Sequence, residues 1–362
     1  MSAAQVLLLD TTLRDGGLGL EDAQKNGISS CAFDDVFIHN AVQNLQKSNV
    51  DIVELGSIEI TQSDMRRFAI YQDIESVSKT IPNNRSETQL FVALFRGPDT
   101  PIEKIPEWQP CYCDGIRVIL RYSELDKSLD FCKVLSQKGY RVFVQPMLTM
   151  RYSEDELNRV LAASNEMGAY ATYFVDSYGY MEDEDVIRLF EKYDTTLSPN
   201  IKIGFHAHNN MNLAFANTKT FLEQRTNREV IVDSCAMGIG QGAGNLQTEI
   251  IADFLNRKMH HTYQLDAILD LCESVEKFWT DNIWGYSAVR FLPARHKAAY
   301  KYAIAMRHQY GMSLKEIDRV FESMPLDLRQ RYTPQNLRQV LQMSHYGRNV
   351  HARSRLFDSE IN

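Results

Sequence analysis

The sequence predicts an α/β fold, a TIM (β/α)8 barrel followed by a small helical C-terminal domain. Three observations predict it. Eight short apolar runs alternate with longer amphipathic segments over about 260 residues, the usual span of such a barrel. Each run is nearly unbroken in hydrophobicity and rich in β-branched or aromatic residues, as strands covered on both faces are. The first run is followed by Leu13-Arg14-Asp15-Gly16-Gly17 and not by the glycine fingerprint of an open dinucleotide-binding sheet.

In chain order the predicted strands are 6–11, 51–55, 90–95, 115–120, 141–146, 171–176, 201–207 and 230–235. Helical patterns fall at 38–48, 64–79, 124–138, 154–167, 182–193 and 212–225. The segment 154–167 shows the logic. Leu157, Val160, Leu161 and Ala163–Ser164 recur on one face, acidic residues fill the first turn, and Ser153 stands where an N-cap belongs. Between the first strand and its helix the long stretch 19–36 reads as a βα loop at the active face, able to form a lid. After about residue 262 no strand pattern recurs. Segments 264–277, 294–310, 313–323 and 334–343 read as helices, with Pro325 and Pro334 as breakers. The division is therefore a barrel over 1–262 and a helical domain over 263–362, and the last dozen polar residues are expected to be mobile.

Composition narrows the function classes. Of 362 residues 44% are hydrophobic and 24% charged, as in soluble globular proteins, and the net charge of −8 with scattered Lys and Arg argues against nucleic-acid binding. No apolar stretch approaches a membrane span, and the apolar start lacks a basic leader, so a cytoplasmic protein is expected. Six cysteines without paired zinc spacing read as reduced thiols.

In such a barrel, chemistry sits at the C-terminal ends of the strands. Polar residues that strand logic does not explain gather there: Arg14, Asp15, Glu54, Arg96, Gln145, Asp176, Ser177, His206 and His208, with a glycine-rich loop from Gly238 to Asn245 after the eighth strand. Residues two apart in a strand share a face, so His206 and His208 project together. Neutral imidazole is a common metal ligand, and Asp15 is the natural third donor, although strand histidines are often satisfied core residues. Arg14 reads either as a structural cap or partner for a carboxylate at the barrel mouth, or as a group that stabilises a developing enolate oxygen or clamps a substrate carboxylate. The alternating glycines fit a flexible loop or a phosphate-cradling turn, and their place after the eighth strand suits a close approach of backbone to a ligand.

Four stretches together resemble the DRE-TIM metallolyase superfamily. They are Asp-Thr-Thr-Leu-Arg-Asp-Gly at 10–16, Phe-Val-Asp-Ser-Tyr-Gly at 174–179, Gly-Phe-His-Ala-His-Asn-Asn at 204–210 and the loop 232–245. That superfamily includes hydroxymethylglutaryl-CoA lyase, isopropylmalate and homocitrate synthases and 4-hydroxy-2-oxovalerate aldolase, and the likeness is greatest to the last. It covers residues 5–260. The resemblance implies Asp15, His206 and His208 as ligands of Mn2+ or Mg2+, with Asn245 at the position of an asparagine ligand in the lyase branch. It implies Arg14 as enolate stabiliser, Ser177 on the pyruvyl carboxylate, and Tyr286 near a tyrosine that reaches the site. One departure stands out. The histidine that serves the aldolases as base, three residues after the metal aspartate, is Leu18 here, and leucine takes no proton. Glu21, Asp22 and Lys25 are the candidates to replace it.

The expected function is a class II-type aldol cleavage or condensation of a 4-hydroxy-2-oxo acid through a pyruvate enolate. The alternatives are a Claisen-type acyl-CoA lyase or synthase on the same metal site, and a noncatalytic barrel subunit. The resemblance also implies a homo-oligomer and an aldehyde dehydrogenase partner.

Overall fold

The computed structural model describes residues 5–59, 65–280 and 282–344. Eight parallel strands close a barrel: β1 (Gln5–Asp10), β2 (Ile52–Ile58), β4 (Leu90–Phe95), β5 (Gly115–Leu120), β6 (Arg141–Pro146), β7 (Ala171–Asp176), β8 (Lys202–Ala207) and β9 (Glu229–Ser234). They neighbour one another in chain order, and the pairing of β1 with both β9 and β2 completes the ring. A two-residue strand, β3 (Ile70–Tyr71), pairs with the end of β2. The predicted fold class holds, with every predicted barrel strand overlapping an observed one.

Side chains of a strand alternate between its two faces, and burial of both faces explains the apolar runs. Val6, Leu8, Val53, Ile116, Val118, Val142, Val230 and Val232 belong to the outer core under the helices. Leu9, Ile52, Val92, Phe143, Tyr173 and Ile231 form a separate inner cluster that fills the lumen. The same alternation turns Glu54, Arg117, Gln145, His206 and Asp233 inward, at or above that layer. Gly204 is needed here: a Cβ would lie 2.3 Å from the Tyr173 ring that fills the space beneath the site.

Around the barrel run α1 (Thr12–Lys25) and α2 (Asp35–Lys47), the short α3 (Ile74–Ser78), α4 (Leu125–Gln137), α5 (Glu154–Met167), α6 (Asp183–Thr196), α7 (Ala214–Leu222) and α8 (Thr248–Met259). α5 matches its expectation to the residue. Ser153 and Glu156 form a reciprocal capping box, and Leu157, Val160, Leu161, Ala163 and Ser164 are its buried face. Two expectations are corrected. Residues 19–25 are not part of a lid loop, because α1 begins directly after β1 and runs through them. The helix expected at 64–79 does not form in its described part: a 3-10 turn, Arg66–Phe68, and β3 precede a five-residue α3. The helix-like spacing of Phe68, Ile70, Ile74 and Val77 is satisfied instead by pairing Ile70 with Ser57 and burying all four.

The C-terminal region is helical: α9 (Leu265–Glu276), α10 (Ala288–Arg295), α11 (Tyr300–His308), α12 (Leu314–Ser323), α13 (Leu326–Arg329) and α14 (Pro334–Met343). Ile268, Leu271 and Val275 of α9 join the barrel core, while a second core forms from Leu292 onward around Tyr302, Met306, Phe321 and Leu337. The single helix expected at 294–310 is two, broken where Lys297 takes a positive φ of 53°.

Candidate metal site at the barrel mouth

The motif after β1 divides into a bolt and a site. Asp10 accepts from the Thr12 N–H at 2.9 Å and the Thr248 hydroxyl at 2.6 Å. Thr11 N–H donates to the Ser234 carbonyl at 2.7 Å, and the Thr12 hydroxyl accepts from Ala236 N–H at 2.8 Å. These bonds lock the first turn of α1 to the end of β9. Burial pushes the Asp10 carboxyl up to about 6 against its hydrogen bonds from Thr248 and Thr12. Arg14 and Asp15 follow in the locked turn, both buried.

His206, at the end of β8, and His208 beyond it meet Asp15 there. One ligand atom from each of the three lies within 4.8 Å of the others, and all three side chains are buried. His206 Nδ1 is 2.9 Å from Asp233 Oδ2, which leaves Nε2 as the nitrogen to face the site. Burial pushes His208 down to about 4, so it is the neutral, lone-pair-bearing form near pH 7. Burial works to raise the Asp15 carboxyl, but Arg14, His208, His206 and Asn245 more than offset it and hold it below its ordinary value. The Asn245 amide donates to Asp15, while its buried Oδ1 lacks a hydrogen-bond partner. A carboxylate, two imidazoles and an orphaned amide oxygen are a donor set that fits a divalent cation.

A chain of alternating charge joins two of these donors. Arg14 donates from Nη1 to Asp15 at 2.6 Å and from Nε to Glu54 at 2.8 Å. Arg117, with no exposed surface, donates to the same Glu54 oxygen at 2.8 Å and to Asp233, the carboxylate on His206. The Gln145 amide oxygen accepts from Arg117 Nη2 at 3.1 Å, and the guanidinium lies 4.9 Å from the Tyr173 ring centroid. Sequence reasoning marked Glu54 and Gln145 but missed Arg117 and Asp233. The signal for Arg117 was a charge between apolar neighbours inside a strand, and for Asp233 a carboxylate following three apolar residues near the end of β9.

The glycine loop closes over Asp15. A Cβ on Gly240 would lie 2.2 Å from Asn245 Nδ2 and 2.5 Å from Asp15 Oδ2, so only glycine lets the loop pass there. Gly17 and Gly19 of α1 serve a similar end, since a Cβ on them would lie 1.9 Å and 2.7 Å from the carbonyls of Phe68 and Gly240.

Above the cluster opens a cavity of about 760 Å3 lined by both the barrel loops and the C-terminal helices. Arg14, Asp15, Leu18, Ser177, His206 and His208 are on its wall. Ser177 accepts from Leu148 N–H at 2.8 Å, which fixes the hydroxyl oxygen. Tyr286 is not brought there. It lies outside the cavity wall and is 60% exposed, whereas Trp284 turns inward and donates to the Met237 carbonyl at 3.0 Å. Four other tyrosines, Tyr122, Tyr178, Tyr300 and Tyr332, are on the wall; of these Tyr300 donates its phenol to Asp22, and it was missed because nothing in the sequence folds α11 back over α1. Of the proposed replacements for a base, Glu21 and Lys25 pair with each other at 2.8 Å and Glu21 with Arg96 at 2.8 Å, none of them on the cavity wall. Asp22 is held by Tyr300, by Lys301 at 2.8 Å and by Gln241 at 2.7 Å, all three of which line the cavity. Asp176 accepts from Tyr180 and Met181 N–H at 3.0 Å each and serves the turn after β7; burial pushes it up to about 7.

Fold and site together define a TIM barrel with a candidate metal centre at the C-terminal ends of its strands. The chain belongs to the HMGL-like family, whose description it matches over residues 5–275. It is 26% identical over 278 residues to a 4-hydroxy-2-oxovalerate aldolase of Geobacillus genomosp. 3, covering 76% of this chain and 78% of that one. It is 27% identical over 273 residues to an oxaloacetate decarboxylase of Mycobacterium tuberculosis, covering 74% and 75%. The fold matches that of the HMG-CoA lyase from Brucella melitensis with a TM-score of 0.59 at 15% identity, over 76% of this chain and 99% of that one. These are names of enzymes that cleave carbon–carbon bonds. No helix among the described residues is long and apolar enough to cross a membrane.

Proposed function

We propose that the chain is a divalent-metal-dependent aldolase that cleaves or forms the carbon–carbon bond of a 4-hydroxy-2-oxo acid. The observation that carries this reading is the convergence of Asp15, His206 and His208 on the cavity floor beside the Arg14 guanidinium. A Mn2+ or Mg2+ ion held by those three donors, with Asn245 beside them, would supply Lewis-acid polarisation of the 2-oxo group. The residues of the chain do the rest. Arg14, kept cationic by Glu54 and Asp15 against its own burial, offers fixed positive charge to the oxygen on which the enolate develops. Ser177, its oxygen engaged by Leu148, directs its proton to the pyruvyl carboxylate. Leu18 covers the floor where a base would stand and takes no proton. The substrate hydroxyl proton passes to Tyr300 Oη as Tyr300 gives its own to Asp22. Pyruvate release from 4-hydroxy-2-oxo acids that stops in EDTA and returns with Mn2+ supports this reading; full activity in EDTA rejects it.

Leu18 also favours a second reading, decarboxylation of oxaloacetate to the same enolate. That reaction has no hydroxyl proton to remove. The Tyr300→Phe variant separates the two: it lowers aldol cleavage by about a hundredfold and leaves decarboxylation near wild type.

A further inference from the structure

The outer wall of the cavity carries charge that the pyruvyl floor does not use. Arg151 and Arg331 both line it, and neither forms an ion pair among the described residues. Each is nevertheless held in place. Arg151 ends a 3-10 turn after β6, its N–H bonded to the Leu148 carbonyl at 2.8 Å and its guanidinium 4.2 Å from the centroid of the Tyr122 ring. The backbone of Arg331 is fixed by the Tyr302 phenol, which donates to its carbonyl at 2.8 Å, and the adjoining Gln330 carbonyl accepts from Tyr178 at 2.7 Å. The other cations on this wall are engaged, Arg121 by Asp99 and Glu124 and Lys301 by Asp22. Of the acidic groups on this outer wall, Glu124 is neutralised by Arg121 and Lys127, and Asp327 is the remaining carboxylate against two guanidinia; Glu156, off the wall, faces Arg151 through space without forming an ion pair with it. A cavity of about 760 Å3 also has room beyond a pyruvyl unit and a two-carbon aldehyde.

We propose that the half of the substrate released as aldehyde carries its own anionic group, a carboxylate or a phosphoryl group, and that Arg151 and Arg331 seat it at the cavity mouth. This rests on the reading of the floor as a pyruvyl site. Planar guanidinia recognise both groups through paired hydrogen bonds. Because both side chains stay hydrated in the free protein, binding an anion there involves little desolvation of buried charge and gains in rate of capture at low salt. One arginine comes from a barrel loop and the other from the C-terminal region, so the helical region acts as the wall that selects the aldehyde half.

The test is calorimetric titration of the Mn2+-loaded full chain with 2-oxoadipate, with its uncharged-end counterpart 2-oxohexanoate, and with a 2-oxo acid of equal length ending in phosphonate. At least one anionic-ended ligand is expected to bind ten times or more tighter than 2-oxohexanoate. That preference collapses towards one in Arg151→Gln/Arg331→Gln and is largely kept in Arg151→Lys/Arg331→Lys. The stronger of the two anionic ligands identifies the group. Tight binding of 2-oxohexanoate, equal to the others, overturns the anion seat and leaves the pyruvyl floor standing. Binding of none of the three overturns both. Preference surviving in the double glutamine variant also overturns the assignment to these arginines.

Discussion

Arg117 holds a full positive charge where no water reaches it, and its worth lies in what it keeps paired. Removing one member of a buried ion pair leaves an uncompensated charge, which costs about 3–5 kcal/mol. Arg117→Met should therefore destabilise the fold by that order, because Glu54 and Asp233 lose their shared partner. It should also weaken Mn2+ binding, since Asp233 orients His206. Chemical denaturation and metal titration of the variant check both. His208 gives a pH signature of definite sign. Its ordinary value is 6.5 and its folded value about 4. Between those limits the unfolded chain binds more protons, so the stability it contributes is present above about pH 6.5 and lost as pH falls towards 4. The metal-free wild type should lose up to about 3 kcal/mol more than His208→Asn across that window, measured by urea unfolding. An equal pH slope in both would show that burial does not hold His208 neutral.

Elements bring these residues together, and α1 and the loop after β9 do most of it. Gly240→Ala puts a methyl group against Asn245 and Asp15. It should lower Mn2+ affinity at least tenfold with a far smaller change in melting temperature, read by titration and calorimetry on the same sample. The opposite experiment restores a base: Leu18→His should raise aldol cleavage several-fold, and no gain would mean that Tyr300 and Asp22 already suffice. At this scale the sequence was only partly legible. Asp15, His206 and His208 could be read because strand alternation and the end of β1 dictate where they point. The course of α1 could not, because Gly16, Gly17 and Gly19 look like a loop until Phe68 and Gly240 are seen packed against them. Tyr286 is exposed while Trp284, two residues before it, is the aromatic that packs inward, a choice that spacing does not reveal.

On the scale of the whole molecule, alternating strands and helices made the barrel readable, since covering both faces of a parallel sheet leaves a plain mark in composition. The return of α11 over the barrel mouth left no such mark. It depends on Asp22 meeting Tyr300 and Lys301 across a sequence separation of 278 and 279 residues. A ligand that binds only the folded state raises stability by about 2.7 kcal/mol at a hundred times its dissociation constant. Mn2+ should thus raise the melting temperature of the wild type and leave that of Asp15→Ala unmoved. The most direct test of the central claim is pyruvate release by the Mn2+-loaded chain from a panel of 4-hydroxy-2-oxo acids that includes anionic-ended members, with Asp15→Ala alongside. Pyruvate from the wild type and none from the variant is the predicted result. No pyruvate from any member, with metal bound, would contradict the aldolase reading.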